Sequence, residues 1–69
     1  MLNKKVFDRM FQVCEMFEKK GLENYKIEVT KIDVKDNNLY NIDITADSKI
    51  FTMEYDENSN ILKKLYSNI

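Results

Sequence analysis

Along residues 3 to 20, apolar or sulfur-bearing side chains recur at spacings of three and four: Val6, Phe7, Met10, Phe11, Val13, Cys14, Met16 and Phe17. Counted with Leu2 at about 100° per residue, they sweep roughly 220° of a helix circumference. Lys4, Asp8, Gln12, Glu15 and Lys19 are left as a narrow polar strip. The pattern predicts one long amphipathic helix. Asn3 suits its N-cap, because a side-chain oxygen there can accept from an amide that the first turn leaves unpaired. Leu2, just before the cap, can pack on Phe7 as a hydrophobic staple. At the other end Lys19 and Lys20 suit the negative pole of the helix, Gly21 can take a left-handed conformation, and Leu22 can fold back on Phe17.

After Gly21 the period changes to two. In NYKIEVT, Tyr25, Ile27 and Val29 alternate with Lys26, Glu28 and Thr30, the pattern of a half-buried antiparallel strand. Ile32 and Val34 have the opposite parity, which requires either a bulge near Thr30 and Lys31 or a far end that turns another face to the core. Lys35, Asp36, Asn37 and Asn38 read as a turn, since Asp and Asn tolerate left-handed backbone and bond to it locally. LYNIDITA is a second strand with Tyr40, Ile42, Ile44 and Ala46 on one face. Asp47, Ser48 and Lys49 make a short turn, and IFTMEY is a third strand with Phe51, Met53 and Tyr55 inward. Ile61, Leu62, Leu65, Tyr66 and Ile69 fit helical spacing, but YDENSNILKKLY also reads as a hairpin whose DENSN turn leads into a fourth strand. The strand is the preferred reading, because a terminal helix of about nine residues is marginal without extensive packing.

The sum is a single α+β domain over residues 1–69. An N-terminal helix packs on a three- or four-stranded antiparallel meander (α-β-β-β-β, the last element a strand or a short helix). The helix would span about 27 Å and each strand about 25 Å, so one helix can lie across one sheet face.

Composition narrows the chemistry. A chain of 69 residues buries only about 60% of its unfolded surface, and domains of this size often draw stability from a disulfide, a metal or a second subunit. With one cysteine and no histidine, an internal disulfide is impossible and zinc has no ligand set. A homodimer or a protein partner is what remains. The net charge of −1, with 33% of residues charged, gives no bulk signal for nucleic acid or membrane. Asp8 and Arg9 interrupt the N-terminal apolar residues before a signal-length run develops, so no export signal, no membrane span and a cytoplasmic location are expected. Heavy use of Asn, Lys, Ile, Asp and Glu is the bias of AT-rich coding, as in a low-GC bacterium or its phage.

No catalytic, cofactor or metal site is expected. The absence of histidine removes the ordinary Ser-His and Cys-His pairs, and a single glycine removes phosphate-cradling loops. Cys14 lies in the apolar arc, where a thiol behaves as a small hydrophobe. Asp56, Asn58 and Asn60 open like a calcium loop, but Ile61 stands where the sharp turn needs glycine and Ser67 where a closing glutamate belongs, so a polar hairpin turn is the better account. Asp33, Asp43, Glu54 and Asp56, alternating with Asn41, Thr45 and Thr52, form a charged outer sheet face. Lys4, Lys5, Arg9, Lys19, Lys20, Lys63 and Lys64, with Tyr25, Tyr40 and Tyr66, would be the groups for single-stranded nucleic acid, a secondary reading because acids nearly cancel bases.

The remaining signal is surplus apolar width. Covering one sheet face requires an arc of little more than 100°, about half of what is present. Val6, Met10, Val13 and Phe17 form its centre and are assigned to the core. Leu2, Arg9, Met16 and Leu22 lie near one margin, and Phe7, Phe11 and Cys14 near the other. Phe7, Phe11, Cys14 and Met16 are the expected partner-binding residues, methionine and aromatics being enriched at interface cores.

From Gly21 onward the segment YKIEVTKIDVKDNNLYNIDITADSKIFTMEYDENSNILKKLY resembles PepSY-like domains. These join a helix to an antiparallel meander ending in an aspartate-bearing turn and a short strand, to which Asp56 to Leu62 would correspond. The resemblance implies that fold and a role in inhibiting or modulating proteases. The chain departs from the pattern in having Ser59 nearest to where a glycine usually follows the turn aspartate, and in lacking tryptophan and an export signal. Taken together, the sequence predicts a small non-enzymatic protein-binding inhibitor or modulator, in specific form an anti-defence protein of a phage or mobile element.

Overall fold

The computed structural model describes residues 3–34 and 37–69. Helix α1 runs Lys4–Lys19 and is followed by β1 (Tyr25–Val34), β2 (Asn37–Ala46), β3 (Lys49–Asp56) and β4 (Ile61–Ser67). The strands form one antiparallel sheet in the order β1-β2-β3-β4, so the last element is the strand that the sequence favoured.

Local chemistry accounts for the ends of α1. Asn3 has extended backbone, and its side-chain Oδ1 accepts from the Val6 amide at 3.2 Å. At the C-terminus the Leu22 amide reaches back to the Phe17 carbonyl at 3.0 Å and the Gly21 amide to that of Glu18 at 2.9 Å. This is a Schellman closure, and it needs positive φ at Gly21, which has φ 75°. A Cβ at Gly21 would meet nothing within 4 Å, so the requirement for glycine is conformational alone. The expected staple from Leu2 lies outside the described residues. So do Lys35 and Asp36 of the expected turn, whereas Asn37 and Asn38 belong to β2.

The two parities of β1 are reconciled without a bulge. Pairing with β2 is unbroken from Tyr25↔Ala46 to Val34↔Asn37, so Ile32 simply faces the outer side, directly opposite Leu39, which in turn faces Asp56. The irregularity in the sheet is in β4. Met53 pairs with Lys64 and Thr52 with Tyr66, which leaves Leu65 as the extra residue of a bulge.

The core is formed by Val6, Met10, Val13 and Phe17 against Ile42, Ile44 and Ala46 of β2 and Phe51, Met53 and Tyr55 of β3. These are the helix residues and the β2 and β3 faces that the periodicity selected. The β1 face is the exception: Tyr25, Ile27 and Val29 stay exposed, where the sequence implied half-burial. A helix is only about 10 Å across, while four strands span about 14 Å between their outer axes. One helix therefore cannot roof both edge strands.

The helix also runs obliquely. Near its start, the Asn3 side chain bonds Tyr55 of β3 and Asn60 of the β3–β4 turn. Near its end, the Tyr25 hydroxyl of β1 donates to the Cys14 carbonyl at 3.1 Å, and the Tyr25 ring stacks on Phe17 with centroids 5.9 Å apart. The diagonal leaves an open flank on each side.

Candidate functional site

The flank toward β1 is apolar. Phe7, Met10, Phe11 and Cys14 descend from α1 and Ile27 and Val29 rise from β1, enclosing a groove of about 290 Å³. Phe11 is the most open of them, 67% exposed. Three of the four expected partner-binding residues, Phe7, Phe11 and Cys14, thus come together here. Met16 does not. It packs against the core on the other side of the helix, beside Arg9, Lys20, Phe51 and Ile69. Ile27 and Val29 complete the groove although the sequence assigned them to the interior. Their alternation located the face they share and carried no information on how far the helix would reach.

Cys14 is only partly buried. Burial raises its thiol above the ordinary value, and the nearby Glu18 carboxylate raises it further. The sulfur is therefore protonated at neutral pH and a weak nucleophile. The Tyr25 phenol is shifted upward in the same way, first by burial and then by Glu18; protonated, it serves as the hydrogen-bond donor that ties β1 to the helix.

The flank toward β4 is basic. Lys4, Lys5, Asp8, Arg9 and Gln12 of α1 face Lys64 of β4 across a trough of about 620 Å³ floored by Met53 and Leu62, with Lys63 at the rim and its ammonium turned to Glu54. Arg9 lies 5.5 Å from the Phe51 ring centroid and donates to Gln12 at 3.1 Å, while Lys5 donates to the Asn60 carbonyl at 3.2 Å. Lys4 pairs with Asp8, a carboxylate of the same lining, at 3.0 Å, and the excess of positive charge rests on Lys5, Arg9 and Lys64. A composition close to neutral thus still carries a local excess of cations, which net charge alone could not reveal.

The remaining polar groups serve the fold. Asp56 Oδ1 accepts from the Asn58 and Ser59 amides at 2.9 and 3.4 Å, closing the DENSN turn. Asn58 Oδ1 accepts from Asn38, and Asn60 Oδ1 from Asn3 and Tyr55, so the oxygens of the calcium-like opening are turned to internal bonds. On the outer face Asp43 accepts from Thr52 at 2.8 Å and Asn41 at 3.2 Å, and Glu54 lies 3.6 Å from Lys63. The side chain of Asp33 lies outside what is described. Among the described residues no three His, Cys, Asp or Glu side chains converge as a metal site would require, and no helix is long and apolar enough to cross a membrane.

Comparison with protein-family models, with curated proteins and with solved structures finds no match to this chain.

Proposed function

We propose that the protein is a small non-enzymatic binding protein, an inhibitor or modulator that takes apolar side chains of a partner protein into the groove between α1 and β1. One observation carries the reading. Phe7, Phe11, Ile27 and Val29 are all exposed large hydrophobes, and they form one contiguous concave surface with Met10 and Cys14 instead of being scattered. Contiguous apolar surface of this kind on a small chain marks a contact site, whereas single exposed hydrophobes mark nothing. The near-absence of polar groups in the lining suits a partner's aliphatic or aromatic side chains and offers nothing to a phosphate backbone. Size and the AT-type composition support a phage or mobile-element setting in which the partner is a host defence protein. A PepSY-like protease modulator is the alternative setting for the same non-enzymatic role.

The test is Phe11→Glu. Because Phe11 projects into solvent, the variant should retain the helix and sheet by circular dichroism and lose at least tenfold of the affinity for a protein captured stoichiometrically by the wild type from host lysate, as scored by quantitative mass spectrometry. Equal capture by both forms, or no stoichiometric capture by either, overturns the reading.

The basic trough supports a second reading, binding of single-stranded nucleic acid. Cations on both walls and an apolar floor are suitable for a charged backbone with stacked bases. On this reading a fluorescent oligonucleotide binds with an affinity that falls steeply between 50 and 200 mM salt, and charge reversal at Arg9 and Lys64 abolishes it. Salt-independent or undetectable binding removes it.

A further inference from the structure

We infer that the open edge of β1 pairs with β1 of a second copy of this chain, antiparallel about a two-fold axis at Ile27, which joins the two sheets and sets the two apolar grooves side by side. The inference deepens the binding reading above and rests on it to the extent that both treat this flank as an interaction surface.

The two sheet edges are finished differently. β4 is short, bulged at Leu65, and carries Lys64 on the helix side of the sheet, and each of these features discourages pairing with another strand. β1 spans ten residues in unbroken register with β2, contains no proline, and leaves Tyr25, Ile27 and Val29 exposed on its helix side. Its helix side is apolar from Tyr25 to Val29, with Lys31 only beyond that stretch, and an edge so long and regular is a template for another strand.

The β1 sequence selects the second strand as its own copy, and selects the register. With the axis at Ile27, paired residue numbers sum to 54. Ile27 then faces Ile27 of the second copy, Tyr25 faces Val29, and Lys26 faces Glu28. The apolar residues meet on the helix side, and two Lys–Glu pairs meet on the outer side. Moving the axis by one residue sets Lys26 against Lys26 or Glu28 against Glu28, with like charges directly opposed. Moving it two residues, to Val29, sets Ile27 against Lys31 and Lys26 against Ile32. Only the Ile27 axis matches both faces. Within the chain Glu28 lies opposite Asp43, a like charge, and its Lys26 neighbour is 3.6 Å away. A lysine from the second copy would give it the counter-charge that β2 does not. Because the pairing is isologous, every cross-strand match occurs twice, and both helices lie on the same side of the joined sheet.

The test is a charge-swap cycle read by sedimentation equilibrium. Wild-type chain should self-associate to a dimer. Lys26→Glu and Glu28→Lys should each weaken the dimer at least tenfold, since each creates two like-charge oppositions, while the thermal transition of the monomer stays within a few degrees. The double variant Lys26→Glu/Glu28→Lys should return to within about threefold of wild type. A chain that stays monomeric up to about 1 mM, single swaps without effect, or a double swap no better than the worse single overturns the inference. The two proposals fail separately. A monomer whose partner capture depends on Phe11 removes the dimer and leaves the binding reading, whereas a dimer obeying the swap cycle with no Phe11-dependent partner does the reverse.

Discussion

Phe17→Ala leaves the chain largely unfolded at 25 °C, whereas Phe11→Ala, six positions earlier on the same helix, changes stability by no more than about 0.5 kcal/mol. The difference is burial. Phe17 is 0% exposed and belongs to the core with Val13, Ala46 and Phe51. Its ring also stacks on Tyr25, which fixes the start of β1. Truncating a buried phenylalanine removes its transfer free energy and leaves a cavity, together costing about 3–5 kcal/mol. A core in a domain this small rarely supplies more than about 3–5 kcal/mol in total, so the loss consumes the whole margin. Phe11 projects into the groove mouth, and truncating an exposed side chain away from special features costs about 0.5 kcal/mol or less. Far-ultraviolet circular dichroism with urea titration checks both. A Phe17→Ala chain with an unchanged urea midpoint would mean that the helix is not seated as described.

The contrast between these two phenylalanines also marks what the sequence can express. The core face of α1 was legible because Val6, Met10, Val13 and Phe17 recur at helical spacing and because Asn3 and Gly21 delimit the element by conformational necessity. β2 and β3 were legible because strict alternation over Tyr40 to Ala46 and over Phe51 to Tyr55 allows one inward set. Two features were not legible. Ile32 breaks the alternation of β1, and a local pattern cannot distinguish a bulge from an outward-facing hydrophobe; pairing with Leu39 resolves that, and such pairing is a non-local fact. Ile27 and Val29 share a face with the core, but whether a roof covers them depends on where the helix axis crosses the sheet. That crossing is set by Asn3 at one end and Tyr25 at the other, residues whose partners lie far away in sequence. The candidate groove was accordingly half visible: its helix wall followed from the surplus arc, and its strand wall came from the diagonal. The same diagonal gathers Arg9 and Lys64, far apart in sequence, on one flank; both were named as candidate basic groups, but a linear reading of charge could not place them together.

The anchor at the helix N-terminus yields the second large effect. Asn3 does two jobs with one amide. Its oxygen caps the Val6 amide at 3.2 Å, and its nitrogen donates to the Tyr55 hydroxyl at 2.7 Å and to Asn60 Oδ1 at 2.8 Å. The Tyr55 hydroxyl in turn donates to Asn60 Oδ1 at 2.9 Å, closing a triangle over a ring that is 2% exposed. Asn60 holds φ 57° in the β3–β4 turn, a conformation asparagine tolerates better than most residues. Removing the cap costs about 1 kcal/mol, and each tie lost from the triangle about 1 kcal/mol more, so Asn3→Ala should cost about 2–3 kcal/mol. Asn3→Asp separates the two jobs. A carboxylate still caps, and the positive pole of the helix favours it, but it has no proton to offer Tyr55 or Asn60. Its cost should fall to about 1–2 kcal/mol. Tyr55→Phe leaves the cap intact and removes the hydroxyl with both of its ties, one accepted from Asn3 and one donated to Asn60, at about 2 kcal/mol. Because Asn3 and Tyr55 share a hydrogen bond, Asn3→Ala combined with Tyr55→Phe should cost measurably less than the sum of the singles. Urea unfolding of the four variants and wild type, with a common slope, measures this directly. Strict additivity would mean that the Asn3–Tyr55 bond contributes nothing to stability, and that the helix owes its oblique seat to core packing and to Tyr25 at its other end.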